Sequence, residues 1–194
     1  MKLESLSQAL QERAAAGRPV RVGLVGAGKF GSMFLAQACS TPGFQLVGVA
    51  DLDPARAALS LQRTGWSAAQ VVSASQTGEI VAAAAGDRVA VTDAVPALIA
   101  ADLDVLVECT GNVPAATRHA LAGIEAGAHV VMVSVEADVL VGLALRRRAE
   151  SAGVVYTQAY GDQPALICEL VDWARTCGFE VVAAGKGTRH RPEF

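Results

Sequence analysis

Arg21-Val22-Gly23-Leu24-Val25-Gly26-Ala27-Gly28-Lys29-Phe30-Gly31 is the stretch that decides the fold. A short apolar run suited to a buried strand breaks into three glycines spaced G-x-G-x-x-G, and Ser32 to Ala38 then suit a helix. Strand, tight glycine turn and helix, in that order, form the first half of a dinucleotide-binding unit. Gly26 permits the turn, Gly28 lets the backbone approach a pyrophosphate, and Gly31 allows the helix to pack closely on the strand. The phosphates then meet exposed backbone N–H groups along Gly26, Ala27, Gly28, Lys29, Phe30 and Gly31, at the positive end of the helix dipole.

A second apolar run, Gln45-Leu46-Val47-Gly48-Val49-Ala50, ends in Asp51. This acid falls about twenty residues past Gly31, where the fold places a carboxylate on the adenosine ribose. The competing reading is an ordinary parallel α/β domain with Asp51 in a turn. As a ribose ligand, Asp51 accepts from both hydroxyls of NAD and repels a 2′-phosphate. Arg56 offsets that repulsion if its side chain turns inward; otherwise it is a solvated helix residue.

Outward from this unit, composition sets the bounds. The chain has 194 residues, 52% hydrophobic and 18% charged, which suits a large buried core under a modest charged surface. Glycine, charge or proline interrupts the apolar runs well short of a membrane span. Met1 to Arg18 reads as a short helix with Leu3, Leu6 and Leu10 on one face rather than as a secretory signal. Cys39, Cys109, Cys168 and Cys177 are scattered without metal-ligand spacing, so reduced thiols in a cytoplasmic protein and no structural zinc are expected. A net charge of −3 argues against nucleic acid as a partner.

The rest of the chain repeats the strand–helix rhythm. Pro54 opens a helix running to about Thr64. Gly65 to Gly86 is rich in small residues and contains a short helix from Thr77 to Ala85. Further strands are read at Arg88–Thr92, Asp104–Cys109, His129–Val133 and Val154–Thr157, with helices over Pro96–Ala101, from Pro114, and over Asp138–Ala152. The expected fold is α/β, a Rossmann doubly wound parallel sheet over residues 18–160, preceded by a helix in 1–17. Residues 161–194 read as the start of a second, catalytic domain. They hold an amphipathic helix with Leu166, Ile167, Leu170, Val171, Ala174 and Cys177 on one face, then a strand at Phe179–Ala184. That strand needs a partner, either in a second domain cut short by the end of this sequence or in another subunit of a homo-oligomer.

In an open α/β sheet, ligands lie beyond the C-terminal strand ends. Besides the glycine turn and Asp51, this selects Thr110, Gly111 and Asn112 at the nicotinamide ribose, and Ser134 at the end of the next strand. Thr-Gly-Asn before proline is also ordinary turn and cap chemistry. For proton transfer or carbonyl polarisation the candidates are Glu136, Asp162 and Lys186. The two acids are also candidate helix caps, and Lys186 can equally anchor a substrate anion or lie on the surface. Tyr160 is a further donor, whereas His119 and His129 read as structural.

Val22–Gly31, Asp51–Pro54, Val107-Glu108-Cys109-Thr110-Gly111 and Tyr160–Lys186 together resemble the homoserine-dehydrogenase-like oxidoreductases. Ser134–Asp138, Ala159–Pro164 and Ala184–Thr188 narrow the likeness to proteins with a following catalytic domain and a C-terminal SAF domain, including a deoxyxylulose-phosphate reductoisomerase-like branch. The likeness covers only the front portion of such a protein. It implies hydride transfer between NADP, with NAD as the alternative, and a small polar carbonyl or hydroxyl compound, phosphorylated or not. Homoserine dehydrogenases carry Ala-Asn-Lys after the fifth strand, where this chain reads Ser134-Val135-Glu136; the resemblance therefore moves any basic role to Lys186. A second functional class also fits, a non-catalytic NAD(P)-binding regulatory module.

Overall fold

The computed structural model describes residues 5–161 and 163–185. In chain order the elements are α1 (Leu6–Ala15), β1 (Val20–Val25), α2 (Lys29–Ala38), β2 (Phe44–Ala50), α3 (Pro54–Arg63) and β3 (Val71–Ser73). Then follow α4 (Thr77–Ala85), β4 (Val89–Thr92), α5 (Val95–Ile99), β5 (Val105–Glu108), α6 (Val113–Glu125), β6 (His129–Met132), α7 (Val135–Ala152), β7 (Tyr156–Gln158) and α8 (Gln163–Thr176). The strands form one seven-stranded sheet in the order β3-β4-β2-β1-β5-β6-β7, and every pairing is parallel. This is the doubly wound α/β sheet expected from the sequence.

Helices cover both faces, so the central strands are largely apolar, with Arg21 and Gln45 near the start of β1 and β2 and Glu108 at the end of β5. On one face Leu35 of α2 and Ala57 and Leu61 of α3 pack against Leu24, Leu46, Val49 and Val91. On the other, Ile80, Leu98, Ala116, Ile124 and Leu145 from α4 to α7 close over Val47, Leu106, Val130 and Met132. Leu98 and Leu106 are fully buried there, and truncating such a side chain to alanine costs about 2–5 kcal/mol. The N-terminal helix α1 buries no side chain. It meets the domain through the Leu10 backbone, packed against Gly43, and through an Arg13–Asp104 ion pair at 3.7 Å.

Three expectations are corrected. The small-residue stretch hides strand β3, only three residues long, which pairs with β4 at the sheet edge; it is too short to show an alternating pattern. The helix expected from Asp138 begins at Val135, with Glu136 and Asp138 in its first turn, where acidic side chains complement the helix dipole. Phe179–Ala184 is not a strand, and no described strand pairs with it. Val181, Ala183 and Ala184 instead border a groove along Ile167, Leu170 and Ala174 of α8. Without a neighbouring backbone to bond its N–H and C=O groups, an apolar run of strand-forming residues stays irregular. No helix among the described residues is long and apolar enough to cross a membrane.

Candidate functional site

From β1 the sheet grows outward through β2 on one side, then resumes through β5 on the other. The C-terminal end of β1 is therefore the switch point at which doubly wound sheets bind ligands. A cleft of about 730 Å³ opens there, lined among others by Gly26, Gly28, Asp51, Arg56, Thr110 and Asn112.

The glycine turn forms the floor. Gly26 has φ +101°, and a Cβ on it would lie 2.9 Å from the Cys109 carbonyl oxygen. A Cβ on Gly31 would run into the Gly26 carbonyl, so α2 can approach β1 this closely only with glycine at that position. Gly28 differs: a Cβ there meets no protein atom within 4 Å. It opens towards the cleft, as backbone that meets a ligand must. Gly28 is also the N-cap of α2 and supplies no side-chain cap, whereas Ser5, Asp53 and Asn112 cap α1, α3 and α6. The first-turn N–H groups of α2 thus lack a side-chain acceptor, the arrangement that suits an anion. Lys29 is exposed at the start of α2. Phe30 packs its ring against the core on the α2–α3 face, which leaves only its backbone for a ligand.

Asp51, 7% exposed, follows β2. Its carboxylate accepts from the Ala27 N–H at 2.7 Å, the Asp53 N–H at 3.0 Å and Arg56 Nη2 at 2.7 Å. Burial pushes its pKa up, but the two backbone N–H groups and the Arg56 guanidinium outweigh that and hold it below the usual value. Arg56 is therefore turned inward and not merely solvated, although its side chain stays 59% exposed. The pair joins the acid that would repel a 2′-phosphate to a cation that would attract one.

Across the switch point stands a residue that the sequence reading passed over. Glu108, the last residue of β5, is fully buried. Ser134 Oγ donates to it at 2.5 Å, Thr110 Oγ1 at 2.6 Å and the Thr110 N–H at 3.2 Å. His119 Nδ1 lies 3.4 Å away. Burial pushes the Glu108 pKa up, but bonds from His119, Ser134 and Thr110 bring it below the usual value. Ser134 Oγ also accepts the Gly111 N–H at 2.9 Å. Thr110, Gly111 and Ser134 are thus brought together around a carboxylate that organises them. Asn112 caps α6 through the Ala115 N–H at 3.0 Å and also borders the cleft. The missed signal was one acid closing an apolar strand, since a buried charge requires partners.

The remaining candidates fall elsewhere. Glu136 is exposed and lines none of this cleft. Asp162 and Lys186 lie outside the described residues. Tyr160 is exposed, its hydroxyl donating to Glu169 at 2.9 Å. Cys109 lines the cleft, but burial and then the Glu108 and Asp51 charges push its pKa up to about 12, so its thiol is not a nucleophile at neutral pH.

The profile of the homoserine dehydrogenase NAD-binding domain matches residues 22–158. The chain belongs to that family. Residues 161–194 match the profile of the catalytic domain of oxidoreductase DRL. No curated protein matches the chain. Similar solved structures include an NAD-binding oxidoreductase from Klebsiella pneumoniae, with 20% identity and TM-score 0.56, aligned over 82% of this chain and 39% of that one. The WlbA dehydrogenase of Bordetella pertussis, solved with NADH and UDP-GlcNAcA, gives 22% identity and TM-score 0.56 over 83% of this chain and 44% of that one. A Synechocystis biliverdin reductase, solved with biliverdin and NADP+, gives 20% identity and TM-score 0.52 over 81% and 42%. These likenesses show the fold, and this chain spans less than half the length of each of the three.

Proposed function

We propose that the cleft at the ends of β1, β2 and β5 binds NADP in preference to NAD, and that the protein transfers hydride between this cofactor and a small polar carbonyl or hydroxyl compound. The observation that carries the reading is the Asp51–Arg56 pair beside the uncapped start of α2. The pyrophosphate would lie on the α2 N–H groups, with the adenosine ribose at Asp51. Arg56 is exposed enough to take a 2′-phosphate without leaving the cleft. Thr110, Gly111, Asn112 and Ser134 would border the nicotinamide half. The protein's part is to orient the nicotinamide, while the hydride chemistry belongs to the cofactor. For the substrate side, residues 161–194 are proposed as the start of a domain in which Asp162 and Lys186 supply proton transfer and an anion clamp. The DRL profile match over the same residues supports this.

Calorimetric titration with NADP and NAD tests the cofactor reading. Arg56→Ala should weaken NADP about 10- to 100-fold, the worth of a charge-assisted contact, and change NAD little. Asp51→Ala should weaken NAD while sparing or improving NADP. Equal losses for both cofactors in both variants would contradict it.

A further inference from the structure

His119 lines the cleft, as do Asp93 and Arg118, with no part in the cofactor reading above. It stands in the second turn of α6 and lines the cleft with its ring partly exposed. Glu108 Oε1 faces Nδ1. The carboxylate also accepts hydrogen bonds from the Ser134 and Thr110 hydroxyls, and an ionised carboxylate only accepts. Nδ1 therefore carries the proton, and in the neutral ring Nε2 presents a lone pair. No described residue bonds Nε2, and no buried side-chain nitrogen or oxygen among the described residues lacks a partner. The atom is thus open to the cleft and not lodged in the core. A carboxylate behind an imidazole in this way fixes both tautomer and ring orientation.

We propose that His119 Nε2 is a nucleotide contact, accepting an N–H or O–H from the adenosine half of the bound dinucleotide, and that Glu108 is its positioning residue. This rests on the reading of the cleft as the dinucleotide site. His119 shares the cleft with Leu52 and Arg56 after β2 and Asp93, Val95 and Pro96 after β4, on the β2 side of the switch point, as well as with Cys109, Thr110 and Asn112 after β5. The adenosine half is assigned on the first group. Leu52 is 99% exposed, an apolar surface left open beside the ribose acid, and suits the face of a purine whose amino group and ribose hydroxyls are donors.

The test is calorimetry on the whole chain with NADP, adenosine 2′,5′-bisphosphate and nicotinamide mononucleotide as separate probes. His119→Leu should weaken NADP and the bisphosphate about tenfold, the scale of one lost hydrogen bond to a ligand, and leave the mononucleotide unchanged. His119→Gln, which keeps an acceptor, should recover most of that loss. Imidazole 15N spectra should show the Nδ1–H tautomer in a signal absent from His119→Leu, and that signal should lose its single-tautomer signature in Glu108→Gln. Adding Glu108→Gln to His119→Leu should weaken the bisphosphate no further, whereas a purely structural Glu108 would add its own loss. Unchanged bisphosphate affinity in His119→Leu overturns the inference while leaving the dinucleotide site standing. Failure of the wild-type chain to bind NADP or NAD overturns both.

Discussion

A buried carboxylate stands on each side of the switch point, and the two are held differently. Asp51 takes two backbone N–H groups and one exposed guanidinium. Glu108 takes two side-chain hydroxyls, a backbone N–H and an imidazole, with no exposure at all. Water already reaches Arg56, so on the proposed reading it would swing from its carboxylate to an incoming phosphate. The partners of Glu108 cannot leave without exposing a charge to the core, where an unpartnered charge is strongly unfavourable. On the reading proposed above, Asp51 exchanges partners with a ligand, whereas Glu108 ties the end of β5 to Ser134 after β6.

The sharpest way to break this contrast is to remove each acid and measure urea denaturation. Glu108→Ala should destabilise the fold by about 3–5 kcal/mol, because it strands the buried Ser134 hydroxyl and leaves a cavity. Asp51→Ala should lower stability by only about 1–2 kcal/mol, since solvent and Arg56 can rearrange around it. Equal losses would erase the distinction.

A second, smaller effect is in acid. Both carboxylates have folded pKa values below their ordinary ones. Such a group stabilises the fold above its unfolded pKa, near 4, and that contribution is lost as pH falls through the lowered folded value. Stability should therefore be level in this respect from neutral pH down to about 5 and decline below about 4. Denaturation curves at stepped pH should show a flatter decline for Glu108→Gln than for the wild type. Asp51→Asn should flatten it less. A decline beginning at neutral pH would assign it to other groups.

The same contrast explains what could be read in advance. The turn at Gly26–Gly31 and the acid at Asp51 are local: both follow from spacing along one strand–turn–helix–strand segment, and the structure places both at the cleft. Arg56 was legible only as a conditional, because the direction of a long side chain depends on the charge it finds. Glu108 and His119 come together only once α6 folds back over β5, and their meeting leaves no short motif. The irregular Phe179–Ala184 shows the reverse error, since an apolar run has strand propensity without a strand to pair with. Strand β3 was missed because its edge position demands so little of its sequence.

The central claim is that the bend after β1 holds a diphosphate, and Gly28→Val tests it most directly. A Cβ there meets no protein atom within 4 Å, so the fold should keep its melting temperature while the β-branched group stands where the proposed pyrophosphate site lies. Calorimetric titration with NADP should show binding to the wild-type chain and at least a hundredfold loss, about 2.7 kcal/mol, in Gly28→Val. Unchanged NADP affinity in that variant, at unchanged stability, would contradict the account.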